Sequence, residues 1–213
     1  EGCLVGGGYI VTWAFGHLFS LCDIEDYQPQ ADEKPRWTLD NLPCFPAEFK
    51  FRLRGTEKGK AKKKSTKSKN GKNAWGDDGI PKQFAVIEGL CRRDDVTAIV
   101  NAGDADREGE IIIRLCVDHA LESEKPFYRL WLPDQTPETV IAALADLGDA
   151  ANYDNLAGEG FARTYIDWLY GVNLTRYATI RTGKLLRVGR VIVPIVRAIY
   201  ERDMEIRNFK PDK

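Results

Sequence analysis

The stretch Val96–Leu115, VTAIVNAGDADREGEIIIRL, runs from an apolar segment straight into a group of acids. Asp104, Asp106 and Glu108 are spaced two apart, and Glu110 follows closely. VTAIVN reads as a buried strand and GEIIIRLCVDHAL as the helix after it. In a parallel α/β sheet, ligands gather beyond the C-terminal strand ends, and GDADREGE falls there. Side chains two apart in an extended loop point the same way, so Asp104 and Asp106 converge, while Glu108 starts the next helix. Carboxylates held that close oppose each other's ionisation unless a cation neutralises them. Hard oxygen ligands with room for water suit Mg2+, which favours one or two carboxylates plus phosphate oxygens over a full protein cage. The pattern is that of a magnesium-assisted phosphoryl-transfer site. Acids at a helix start also favour the macrodipole, which explains Glu108 and Glu110 but leaves Asp104 and Asp106 unexplained.

Working outward, the chain alternates. GYIVTWAFGHL reads as a strand in which Tyr9, Val11 and Trp13 share a face, with Gly16 allowing a turn. Residues 22–48 are rich in Pro and Asp and read as irregular. FKFRLRG is a short alternating strand. PKQFAVIEGLCRRDD has helical spacing at Phe84, Ile87 and Leu90–Cys91. After the acidic loop and its helix comes the strand FYRLWL. The helix TPETVIAALADL follows, with Thr136 as N-cap and Pro137 at its first position. That alternation predicts an α/β fold with parallel strands. Beyond Asp149 the pattern becomes helical, and no internal repeat is found.

Composition sets the bounds. The chain has 213 residues, 43% of them hydrophobic, an ordinary globular content. No apolar run approaches the ~20 residues that span a bilayer, and the first residues, EGCLVGGGYI, do not resemble a signal peptide. The absence of an initiator Met suggests a piece of a longer protein. Five scattered cysteines without a C-x-x-C pair point to a reducing interior and read, for the most part, as small buried hydrophobes. The net charge of −1 conceals segregation. Thr56–Lys72 holds eight lysines and one acid, leaving 23 basic against 31 acidic residues elsewhere. Such a run, continuing through about Gly79, predicts a mobile surface insertion. A second basic zone, Arg163–Arg197, has seven basic residues with Asp167 as its only acid. Basic zones beside an acidic cluster suggest a polyanionic partner with a metal between.

DADREGE after an apolar strand resembles the TOPRIM signature, and the flanking stretches are similar to type IA DNA topoisomerases of the topoisomerase III branch. The matching stretches are GYIVTWAFGHL, QTPETV, ARTYIDWLYGVNLTR and VGRVIVPIVRAIYERDMEIRNF, which together cover nearly the whole chain apart from the lysine run. The resemblance implies a TOPRIM-type parallel sheet flanked by helices, followed by a mostly helical segment. It places a TOPRIM domain lacking its first strand over residues 1–149 and the start of a helical DNA-binding domain over 150–213. Asp104, Asp106 and Glu108 would form the catalytic acidic triad that holds Mg2+. Arg163 would approach the scissile strand and Arg190 would contact the DNA backbone. Lys184 and Arg187 join them as DNA-binding candidates, because with Arg190 they precede a helix and suit phosphates, while on charge alone a solvated surface fits them equally well. The partner would be DNA, mainly single-stranded, in a cytoplasmic, nucleoid- or plasmid-associated setting.

The departures are specific. The family's AEKP stretch does not precede Gly8, and none of the eight tyrosines stands in the Tyr-Pro-Arg-Thr context of the attacking residue. Around VGRV, the usual Ser and Gln are replaced by Arg187 and Ile192. The expectation is therefore a fragment that binds metal and DNA but does not cleave, the rest of the parent chain supplying the tyrosine. The alternatives are another TOPRIM enzyme, such as a nuclease or primase, or a non-catalytic DNA-binding module. Among single residues, His17 reads either as near DNA or as capping a hairpin. Arg107 and Glu110 read as supports of the loop, Arg163 and Asp167 as an i, i+4 pair, and Trp168, Leu169 and Val172 as core.

Overall fold

The computed structural model describes residues 2–27, 37–56 and 79–210. Most of the lysine-rich stretch Thr56–Gly79 lies outside the described residues. The chain divides into two compact units, each made of two separated stretches: Glu1–Leu21 with Lys50–Phe161, and Cys22–Phe49 with Ala162–Lys213.

The first unit is mixed α/β. Strands β1 (Cys3–Gly6) and β2 (Tyr9–Thr12) form an antiparallel hairpin in which Gly6 faces Tyr9. The two residues between them, Gly7 and Gly8, have φ of 58° and 83°. A two-residue hairpin turn of that hand requires positive φ at both positions, which glycine adopts without steric cost. Buried Gln83 ties the hairpin to helix α1 (Gly79–Cys91), donating to Trp13 O at 2.7 Å and Thr12 Oγ1 at 3.2 Å. Strands β3 (Phe19–Leu21) and β4 (Phe51–Leu53) form a second antiparallel pair.

The core lies between β3, α1 and helix α2 (Arg107–Ala120). Ile80, Phe84, Ile87 and Cys91 recur at helical spacing and form one buried stripe of α1. They meet Leu18, Phe19, Leu115, Cys116 and Ala120. Phe19 packs edge-on to Phe84 at 5.0 Å and stacks on His119 at 4.1 Å. Of the five cysteines, Cys91 and Cys116 are buried, whereas Cys3, Cys22 and Cys44 are half-buried, which corrects the reading of most of them as buried.

Strand β5 (Ile99–Asn101) runs parallel to β6 (Phe127–Arg129), as the alternation predicts, with Asn101 opposite Arg129. The two-residue strand β7 (Gly148–Asp149) adds to β6 antiparallel. It is too short to carry a periodic signal, and the sequence did not announce it. Helix α3 (Pro137–Ala145) starts as expected, with Thr136 Oγ1 accepting from Thr139 N. Helix α4 (Asp154–Thr182) begins in this unit, where Gly160 lies against Ile111 and Arg107 of α2.

The second unit holds the remainder of α4 and helix α5 (Ile192–Asn208). Of residues 22–48, the described ones, 22–27 and 37–48, hold only two short 3-10 turns, Ile24–Tyr27 and Leu39–Asn41, as predicted, and α4 side chains pin them. Asn173 exchanges hydrogen bonds with the Cys44 backbone at 2.7 and 3.0 Å, and Trp168 Nε1 donates to Cys22 O at 3.0 Å. Phe49 stacks on Tyr165 at 4.1 Å, and Arg176 pairs with Glu25 at 2.6 Å. Trp168, Leu169 and Val172 are half-buried rather than core residues, because α4 is covered here by an irregular segment and not by a packed sheet. Gly183, with φ of 68°, ends α4, its N–H reaching Thr179 O.

Candidate functional site

The acidic loop occupies the turn between β5 and α2, the position the sequence predicts. Its backbone closes through Asp106 N donating to Asp104 O at 2.8 Å. Asp106 is the N-cap of α2, its Oδ1 accepting from Gly109 N at 2.7 Å. One helix-start acid therefore does explain Asp106: the cap lies one position earlier than the sequence reading allowed. The turn is close-packed against the helix, and a Cβ at Gly109 would fall on backbone atoms of Asp104.

The three predicted acids differ in their surroundings. Asp104 is exposed, and its carboxylate takes no hydrogen bond or ion pair among the described residues. Asp106 is exposed and retains Oδ2 beyond the cap. Glu108, in the first turn of α2, meets His17 Nε2 through Oε2 at 3.2 Å, both side chains about two-fifths exposed. His17 lies just before buried Leu18, with its carbonyl taken by Arg54 at 3.0 Å. The His17–Glu108 pair joins positions 91 residues apart, and no local pattern could have shown it. Among the described residues, no three His, Cys, Asp or Glu side chains are gathered as a metal cage. What the loop offers is exposed hard oxygen donors, a set that fits a cation completed by water or ligand oxygens.

Beneath the loop lies a buried ionic network. Glu110, fully buried on α2, accepts from Arg114 Nε at 2.8 Å and Asn101 Nδ2 at 3.2 Å, and faces Arg129 Nε at 2.8 Å. Arg114 continues to Asp154 at 2.7 Å and Ala150 O at 2.6 Å. Burial pushes Arg129 below its ordinary pKa, opposed by the charge of Glu110. Arg107 pairs with Glu159 at 2.5 Å. The supporting roles read for Arg107 and Glu110 match this geometry.

The basic candidates lie in the second unit. Arg163, on α4, reaches Asp167 at 3.7 Å, the i, i+4 pair read from the sequence. Arg190 holds the same carboxylate through Nε at 2.6 Å and Nη2 at 3.3 Å. That hydrogen bond pulls the Asp167 carboxyl below its ordinary value and raises Arg190. Lys184 and Arg187 are exposed, with no side-chain hydrogen bond or ion pair among the described residues. Threonines on one face of α4 shape their loop: Thr175 Oγ1 accepts from Val188 N at 2.9 Å and Thr179 Oγ1 from Leu186 N at 3.3 Å.

Residues 151–213 match a family described as DNA topoisomerase. Similarity to curated proteins extends further. DNA topoisomerase 3 of Bacillus cereus is 36% identical over 210 residues, covering 99% of this chain and 25% of that protein. Over its whole length the chain is similar to DNA topoisomerase 3 proteins. DNA topoisomerase 3 of Staphylococcus epidermidis is 33% identical over 213 residues, 100% of this chain and 26% of that protein. That of Bacillus licheniformis is 34% identical over 211 residues, 99% of this chain and 25% of that protein. The chain thus spans about a quarter of the length of the curated relatives it matches. Among the described residues, no helix is long and apolar enough to cross a membrane.

Proposed function

We propose that this chain is part of a type IA DNA topoisomerase, which cuts one DNA strand through a tyrosyl phosphodiester, passes a strand and reseals the break. The observation that carries the reading is the pair of exposed carboxylates, Asp104 and Asp106, at the end of parallel strand β5. The names of its relatives support it. Asp104 and Asp106, with Glu108 beside them, would hold Mg2+. The bound ion supplies positive charge that orients a phosphate and stabilises charge developing on it. Arg163, Lys184, Arg187 and Arg190 would bind backbone phosphates of single-stranded DNA. The assignment that goes with this is TOPRIM over 1–149 and the helical DNA-binding part from 150, in a cytoplasmic protein.

Attack on the phosphate requires a nucleophile. None of the eight tyrosines has a Tyr-Pro-Arg-Thr setting, so this chain binds and orients without turnover. The test is incubation with negatively supercoiled plasmid and Mg2+, beside a single-stranded DNA binding titration. Binding without relaxation or covalent adduct is expected. Plasmid relaxation, or an adduct to any tyrosine between Tyr9 and Tyr200, would overturn the reading.

A further inference from the structure

The acidic loop is held from beneath by a guanidinium that no local motif marks. Arg129, 1% exposed, closes β6 opposite Asn101. Its Nη1 donates to the carbonyl oxygens of Asn101 at 3.1 Å, Gly103 at 2.8 Å and Leu130 at 2.9 Å. Its Nη2 donates to Asp104 O at 2.7 Å. Asn101, Gly103 and Asp104 are the strand end and turn from which the exposed carboxylates project. Nε faces Glu110 across an ionic contact of 2.8 Å that lacks hydrogen-bond alignment. The guanidinium is thus spent mainly on loop carbonyls. Asn101 reinforces the same turn, its Oδ1 accepting from Gly103 N at 2.9 Å.

A planar fork of donors in fixed geometry can gather several carbonyls at once, whereas an ammonium on a flexible stem cannot reproduce that arrangement. Burying a charge this deeply is costly unless its hydrogen bonds are met, so the loop and the guanidinium fix each other. Arg114 provides an internal contrast. It shares Glu110 with Arg129 but extends to Asp154 and Ala150, and among the described residues it makes no hydrogen bond to the loop.

We propose that Arg129 is a positioning residue for the acidic loop, gathering the carbonyls of Asn101, Gly103 and Asp104 so that Asp104 and Asp106 stand at the separation that takes a divalent cation. The inference rests on the Mg2+ reading given above. It assigns Arg129 no contact with cation or DNA, only control of the backbone that presents the ligands. Outer residues that orient metal ligands typically change metal affinity by about 10- to 100-fold.

The experiment compares the 213-residue chain with Arg129→Lys and Arg114→Lys, titrating Mg2+ by thermal shift and by amide NMR of Asp104–Glu108. Both variants should melt earlier without Mg2+. Arg129→Lys should weaken Mg2+ binding by about 10- to 100-fold, while Arg114→Lys leaves it unchanged. Unchanged affinity in Arg129→Lys, or equal weakening in both variants, would overturn the positioning role. No Mg2+ response in the parent would overturn the metal reading itself, and the inference with it. Should Arg129→Lys fail to fold, the parent's guanidinium signals decide. Arg129 Nη protons should be protected from exchange and shift with the Asp104 and Asp106 amides on adding Mg2+; if they stay still while those amides move, the proposal fails.

Discussion

Asp106 caps the helix that follows it, its carboxylate accepting the Gly109 N–H at 2.7 Å. The same residue is a proposed cation ligand, so its two roles must be separated by substitution. Asn caps a helix about as well as Asp, whereas Ala does not. Asp106→Asn should keep most of the stability and lose Mg2+ binding. Asp106→Ala should lose both, with a stability cost of about 0.5–2 kcal/mol. Urea unfolding with and without Mg2+ measures the two effects together.

Gly109 allows the loop to lie directly on α2. A side chain there would strike backbone, which cannot swing aside like a flexible side chain. Gly109→Ala should destabilise by about 1–3 kcal/mol despite the better helix propensity of Ala. Gly158, with open space around its missing Cβ, serves as control. Gly158→Ala on the same helical background should stabilise or leave melting unchanged.

Acid should weaken the second unit through Asp167. The Arg190 hydrogen bond holds that carboxyl below its ordinary value of 3.8. A depressed folded-state pKa contributes stability that is complete above the unfolded value and lost as pH falls through the folded one. Melting temperature should therefore drop on acidification from about pH 5 to about pH 2. In Asp167→Asn this part of the pH dependence should vanish, and an unchanged profile would remove Asp167 from the account.

Thiol reactivity should follow burial. Burial pushes Cys116 up to about 12, and Cys91 is raised by burial as well. Thiolate is the reacting form, so both should resist iodoacetamide at pH 8 in the folded chain. Half-buried Cys3, Cys22 and Cys44 should be labelled ahead of these two, as mass spectrometry of peptides would show.

What was legible in the sequence was local. Apolar runs placed β5 and α2, and Thr136 with Pro137 placed the start of α3. Acid spacing found the loop. The cap at Asp106 was missed because the helix was taken to start at Glu108 or beyond, whereas Arg107 is its first residue. The burial of Trp168 was overstated because helical spacing marks the covered face but not how well it is covered. Arg129 and His17 went unrecognised as partners of the loop for a different reason. Each meets it across a long sequence separation, 25 residues to Asp104 and 91 to Glu108, and pairing of that kind leaves no periodic trace. Residues 22–49 posed the same problem: Cys44 reaches Asn173 over 129 positions.

The central claim is that Asp104 and Asp106 take Mg2+, and a Mg2+ titration followed by thermal shift tests it most directly. The parent chain and the double variant Asp104→Asn/Asp106→Asn are compared at equal ionic strength, with and without a single-stranded oligonucleotide. Phosphate oxygens complete the shell of such an ion, so binding should be weak alone and stronger with the oligonucleotide. The account predicts a Mg2+-dependent rise in melting temperature in the parent and none in the double variant. The double variant should also start slightly higher without Mg2+, because repulsion between the two carboxylates is gone. An equal Mg2+-dependent rise in both proteins would contradict the account.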